Sequence, residues 1–198
     1  MDKYEKIKKL LYRYEKYGVE VTENGTTLIG HPDYLPKHWR LIMIFPKLKS
    51  SEIEVLEKEC EMSIPNSYKN FLMNFSNGID FINDTLSLFG LRKTLGRTLE
   101  AARQPYALKT PNRDERCCVK NTKETYFFIG SYKWDGSRLY IDKETEKVHL
   151  CAPNDATPLY TWESLEDMLV SELSRLYTLF TEDGRRIDKS KSTLPIKS

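Results

Sequence analysis

The sequence is poor in the residues on which most catalytic and metal chemistry depends: three histidines, four cysteines and nine glycines in 198 residues. The cysteines are Cys60, Cys117, Cys118 and Cys151. They form no Cys-x-x-Cys and match no zinc spacing. Cys117 and Cys118 are adjacent, which suits neither a structural disulfide nor a usual metal site, so reduced thiols are expected. His149 and Cys151 would share one face of a strand, but two ligands do not make a metal site. No nucleophile elbow occurs. The stretch GLRKTLGRT (90–98) is only superficially like a phosphate loop: it has one residue too many between its glycines, and Arg97 stands where the lysine should be. No apolar run approaches membrane-spanning length. The first residues are charged throughout and lack the apolar core and cleavage site of a secretory signal. The expectation is a cytosolic, non-enzymatic protein with no cofactor, no metal and no catalytic residues, with a monomer favoured.

What is present is charge and patterned apolar residues. Charged residues make up 30% and apolar residues 39%, the balance of a globular chain. The net charge of +2 conceals segregation. Residues 1–50 carry ten Lys/Arg against six acids, 51–84 two against seven, and 91–125 nine against four. Residues 126–184 carry five against eleven, and 185–198 five against one. Distinct acidic and basic faces of this kind favour steered binding to a charged partner.

The apolar spacing predicts a helix with Tyr4, Ile7, Leu11 and Tyr14 on one stripe, then a hairpin across Asn24-Gly25. Pro32, Pro36 and Pro46 make the next stretch mostly loop, with one short apolar segment. Ser51-x-x-Glu54 reads as a capping box opening a helix with Ile53, Leu56 and Cys60 inward and an acidic outer face. Pro65 opens a second helix whose apolar face is Ile64, Tyr68, Phe71, Leu72 and Phe75, ended by Asn77-Gly78. Short strands follow near 80–82 and 86–89. Residues 91–125 are basic and lack periodicity, so a helix near 98–103 and a long loop are expected. TYFFIG is a buried strand, SRLYID and KVHL pair across KETE, and CAPNDATPLY is a loop. A last helix carries Trp162, Leu165, Leu169, Leu173, Leu176 and Phe180 on its apolar face.

Taken in order, IEVLEKECEMSIPNSYKNFLMNFSNG, LSLFG, FFIGSYKWDGSRLYID, KVHL and the helix introduced by Trp162 resemble the SUKH superfamily, the Knr/Smi-like proteins. The resemblance runs from Ile53 to Leu173. It implies an α+β fold with a mixed, mostly antiparallel sheet packed against helices. The expected layout is an N-terminal helix and hairpin extension (1–48), a SUKH-like domain (49–184) and a mobile basic tail (185–198). The resemblance also implies function: bacterial members are immunity proteins that neutralise polymorphic or contact-dependent toxins, often nucleases, by binding them without a cofactor.

Aromatics and arginine anchor protein interfaces. The expected partner surface is therefore the turn holding Tyr132, Lys133, Trp134, Asp135 and Arg138. Near it are expected the acidic helix faces carrying Glu52, Glu54 and Glu57, and Glu163, Glu166 and Asp167. The alternative is a regulatory scaffold or nucleic-acid-binding protein. That reading would use Arg92, Lys93, Arg97, Arg103, Arg113, Arg116, Lys120 and Lys123, but few aromatics interleave with them.

Overall fold

The computed structural model describes residues 4–196, so residues 1–3 and 197–198 of the expected extension and tail lie outside the described residues. Nine short strands form one sheet in sequence order: β1 (Val19–Val21), β2 (Thr27–Ile29), β3 (Ile42–Ile44), β4 (Ile79–Phe81), β5 (Leu86–Leu88), β6 (Tyr126–Tyr132), β7 (Arg138–Asp142), β8 (Val148–Ala152) and β9 (Asp155–Trp162). Each pairs antiparallel with the next. The fold is thus the expected α+β class. Among the described residues, parallel pairing is confined to isolated bridges at Gly90–Ala107 and Lys120–Asp155.

Alternation along the strands sends Ile42, Ile79, Phe81, Leu86, Leu88, Phe127, Ile129, Leu139 and Ile141 to one face, where the main core lies. Four helices cover that face, α1 (Glu5–Leu11), α2 (Ser50–Cys60), α3 (Asn66–Asn74) and α5 (Leu165–Tyr177), and a single-turn α4 (Leu99–Ala102) lies in the chain between β5 and β6. Their apolar stripes are those the spacing predicts. In α3, Tyr68, Phe71 and Leu72 are buried, and the Tyr68 hydroxyl donates to the Phe89 carbonyl at 2.6 Å. The Glu146 carboxylate, from the β7–β8 turn, accepts the exposed Asn66 and Ser67 amides at the N-terminus of α3.

The structure corrects several local expectations. The first cap of α2 lies two residues early: Lys49 is the N-cap, and the Glu52 carboxylate accepts its amide at 2.8 Å. Asn77 does not end a helix. Buried, it donates to Leu91 O and accepts Leu91 N, splicing the chain after β5 to the chain after α3. Gly78 (φ 99°) sits so close to Leu88 O that a Cβ would lie 2.4 Å away. Trp162 ends β9 rather than opening a helix, and the expected loop of 151–160 is mostly strand. Ser164 caps α5 by accepting the Asp167 amide.

The extension and the loop both belong to the sheet. β3 pairs with β4, so β1–β3 continue it without a break. Residues 105–122 fill the place left where β5 stops beside β6. There buried Asn112 accepts Phe128 N at 2.8 Å and donates to Phe128 O at 2.8 Å, as a neighbouring strand would. The same segment covers a second small core on the opposite face: Val119, Tyr126, Phe128, Tyr140, Cys151 and Ala156.

Candidate functional site

In a meander, alternate turns gather at one end of the sheet. The link between β2 and β3, the β4–β5 turn (82–85) and the β6–β7 turn (133–137) all lie at the same end. Lys133 ties two of them together, donating to Asn83 O at 3.2 Å and to Asp84 Oδ2 at 3.3 Å. Trp134 follows it and is 44% exposed. Asp135 closes the turn by accepting the Ser137 amide at 2.8 Å.

Tyr132 is not at the tip of that turn. It is the last residue of β6, fully buried, and its hydroxyl lies 2.6 Å from the Glu172 carboxylate of α5. Burial and the Glu172 charge push its hydroxyl well above the ordinary tyrosine range. Glu172 is also buried and pairs with Arg175 at 2.6 Å. The expectation fails because β6 runs two residues further than its apolar run suggests, through Ser131 to Tyr132. Arg138 is likewise committed within the fold: it donates to Pro153 O at 2.8 Å and pairs with Glu115 at 2.9 Å.

The acidic helix faces are elsewhere. β9 ends at the opposite end of the sheet from the 133–137 turn, so Glu163, Glu166 and Asp167 start α5 far from Trp134. Glu163 pairs with Lys147 at 2.9 Å. Glu52 pairs with Lys93, which follows the far end of β5. Glu57 accepts Ile64 N and pairs with Lys69, both at 2.9 Å. Glu54 is exposed on α2. The structure therefore brings Lys133, Trp134 and Asp135 together but not the carboxylates expected beside them.

A groove of about 360 Å³ opens on the face opposite the main core, next to the Lys133 turn. Its floor is Met43 and Asp80, and its far wall is the chain from Arg92 to Tyr106. Trp39 and Tyr106 stand at it, 53% and 52% exposed. Asp80 is 8% exposed, and its Oδ1 accepts the Asp84 amide at 2.7 Å. The backbone buys this contact with three successive left-handed residues, Ile82, Asn83 and Asp84, at φ 43°, 54° and 64°. Such a conformation is costly for a β-branched isoleucine. Burial first, then the hydrogen bond and charge of Asp84, raise the Asp80 carboxyl well above the usual carboxylate range. Burial and the same two acids push Tyr106 up to about 12. Sequence reading missed this cluster because Asp80, Asp84 and Tyr106 are brought together only by strand register. The Asn83-Asp84 pair was its one local signal, as a turn.

The basic residues of 91–125 mostly secure their own segment. Arg92 donates to Ala101 O (2.7 Å) and Pro105 O (3.1 Å), and Arg116 to Tyr126 O (2.9 Å). Arg113 donates to Glu59 O at 3.1 Å. His149 stacks on Tyr140 and bonds Thr161, while Cys151 is buried beneath, its thiol pushed up to about 12 by burial. All four cysteines are free thiols. Among the described residues no three His, Cys, Asp or Glu side chains converge to hold a metal ion. No helix among them is long and apolar enough to cross a membrane.

No curated protein matches the chain. A family model does, over residues 47–171, from the strand-to-helix link before α2 to the middle of α5. That span is more than half of the chain and holds β4–β9 with α2, α3 and the first half of α5, so the protein belongs to the SMI1 / KNR4 family (SUKH-1).

Proposed function

We propose that this protein is a non-enzymatic immunity protein that binds a cognate toxin domain and neutralises it by occlusion. Membership of a family known for immunity proteins supports the reading. The observation that carries it is the turn end of the sheet, where a concave groove has exposed Trp39 and Tyr106 at its edge and Trp134 stands on the adjoining turn. Large aromatics around a partly apolar hollow are what a protein interface uses as anchors. Trp134 stands on the short β6–β7 turn of a nine-stranded sheet, which presents it with little ordering cost. The separate acidic faces of α2 and α5 act at longer range, as steering charge.

Nucleic acid is the weaker partner. Arg92, Arg113 and Arg116 donate to backbone carbonyls within the fold, and Lys93 is paired with Glu52, so a phosphate would have to break those contacts.

The test is co-expression with the toxin domain encoded beside this gene, followed by binding kinetics on purified variants. Trp39→Ala and Trp134→Ala should each leave the fold intact and weaken binding at least tenfold, mostly through faster dissociation. Full neutralisation by a folded double variant would move the interface away from this end of the sheet.

A further inference from the structure

The groove has a chemically distinct end. Asp80 lies on its floor and Asp84 at its lip, and Asp80 Oδ1 accepts the Asp84 amide at 2.7 Å, which sets the two acids side by side. Asp80 is more than nine-tenths buried yet opens to a hollow rather than to a basic partner of its own. A carboxyl in that position works against the stability of the fold and is a mark of a binding or reactive site. Directly opposite it in register, on the same face, Ser87 is 2% exposed, and its Oγ has no hydrogen-bond partner among the described residues. The strained 82–84 turn, which aims the Asp84 amide at Asp80, adds a second cost at the same place.

We infer that the Asp80–Asp84 end of the groove is a pocket for one basic side chain, lysine or arginine, presented by a protein partner. The inference deepens the immunity reading and rests on it for the partner, though not for the chemistry. A cation entering there supplies the counter-charge that the buried Asp80 carboxyl lacks. Its aliphatic stem lies against Trp39 and Tyr106, apolar surface in the same groove on which a lysine or arginine stem packs while its head reaches the acids. The groove volume of about 360 Å³ admits such a side chain.

The surrounding charges agree. Lys133 is the cation that acts on Asp80, and its effect is the smallest of those acting there. It is more than half exposed and its contact with Asp84 is 3.3 Å, a pair that a better-placed cation displaces. Arg40 is spent on Glu20 at 2.8 Å. Arg92 is held by two backbone carbonyls, and His38 and Arg103 line the groove as well. A cation favours the charged form of Asp80, whose carboxyl is held well above the usual range by burial, so affinity should rise with pH.

The experiment uses the full chain and small probes in place of the unknown partner. Acetyl-arginine amide, acetyl-lysine amide, the uncharged acetyl-citrulline amide and the acidic acetyl-glutamate amide are titrated while the Trp39 indole and the Asp80 and Asp84 carboxyl signals are followed by NMR. Saturable shifts are expected with the two cations, weakened at least fivefold at pH 5 relative to pH 7.5. They should be lost in folded Asp80→Asn and strengthened in Lys133→Met. No saturable shift, equal shifts with citrulline, or preference for the glutamate probe would overturn the pocket. So would an Asp80→Asn variant that alters melting but binds the cations as the parent chain does. If the probes bind as expected but Asp80→Asn still neutralises the neighbouring toxin in full, the cation pocket stands and its assignment to the toxin interface fails.

Discussion

Asp80 is a carboxyl that the fold would hold more easily without its charge. Its folded pKa is raised, by burial first and then by Asp84. In the unfolded chain it titrates near 4, the ordinary aspartate value. The stability it contributes is therefore fully present below about pH 4 and is lost as pH rises through the folded value. Asp80→Asn keeps an oxygen for the Asp84 amide and removes the like charge. It should stabilise the protein at pH 7.5 by about 0.5–2 kcal/mol and show no such gain near pH 4. Urea melts at the two pH values measure this, and equal effects at both would contradict the charge argument. Glu172 is the opposite case, a buried carboxylate that has its partners. Tyr132 donates to it at 2.6 Å, and Arg175 pairs with it while also donating to Thr193 O at 2.6 Å. Glu172→Ala should cost about 3–5 kcal/mol, because it strands a half-buried guanidinium. Tyr132→Phe should cost only about 1 kcal/mol, the share of one hydrogen bond. If Tyr132→Phe proved the more damaging of the two, the charged network would not be what joins α5 to β6.

At the scale of elements, α3 is the clearest case of structure written in sequence. Its apolar residues recur at helical spacing, and Phe71, wholly buried, stacks 5.5 Å from Tyr68 and 5.4 Å from Phe75. Phe71→Ala should cost about 3–5 kcal/mol, whereas Lys69→Ala, which loses one partly exposed pair with Glu57, should cost about 0.5 kcal/mol. Comparable melting shifts in denaturant would break the face assignment. The helices α2, α3 and α5, and strands β6–β8, were legible for the same reason: each has one face that must be dry. β9 was not, because residues 157–161 are exposed and Pro158 interrupts the run, so nothing local separates it from a loop. The wedge at Asn112 was illegible in another way. An asparagine that mimics a strand edge is defined by the gap it fills, and that gap exists only once β5 stops short of Phe128. The site divided likewise. Lys133, Trp134 and Asp135 could be read as an exposed turn, but the grouping of Asp80, Asp84 and Tyr106 depends on which turns a meander places side by side.

At the scale of the whole molecule, the family match and the folded unit have different limits. The match begins at residue 47, yet β1–β3 lie before it and pair edge to edge with β4. Ile7 and Leu11 of α1 are fully buried in the main core, and Tyr4 stacks 5.1 Å from Phe75 of the matched segment. The Tyr14 hydroxyl donates to Thr181 O, and Tyr34 to Asp183 O at 3.0 Å, so the chain after α5 is held by the chain before β3. Leu194 is also buried, which ties part of the basic C-terminal segment to the same core. These contacts lead us to expect one cooperative unit rather than a domain with an appendage. A chain starting at residue 47 would leave β4 as an open edge and expose Phe81 and Tyr177, which meet edge to face at 5.1 Å. It should be aggregation-prone and lack a sharp transition. The gentler test is Ile7→Ala in the full chain, which should lower stability by about 2–5 kcal/mol. Trp39 reports on the N-terminal region and Trp162 on the end of β9, so single-tryptophan variants can follow each separately. Coincident urea midpoints, both shifted equally by Ile7→Ala, are expected of a two-state unit. An Ile7→Ala shift seen at Trp39 but not at Trp162 would instead make residues 1–48 an independently melting extension.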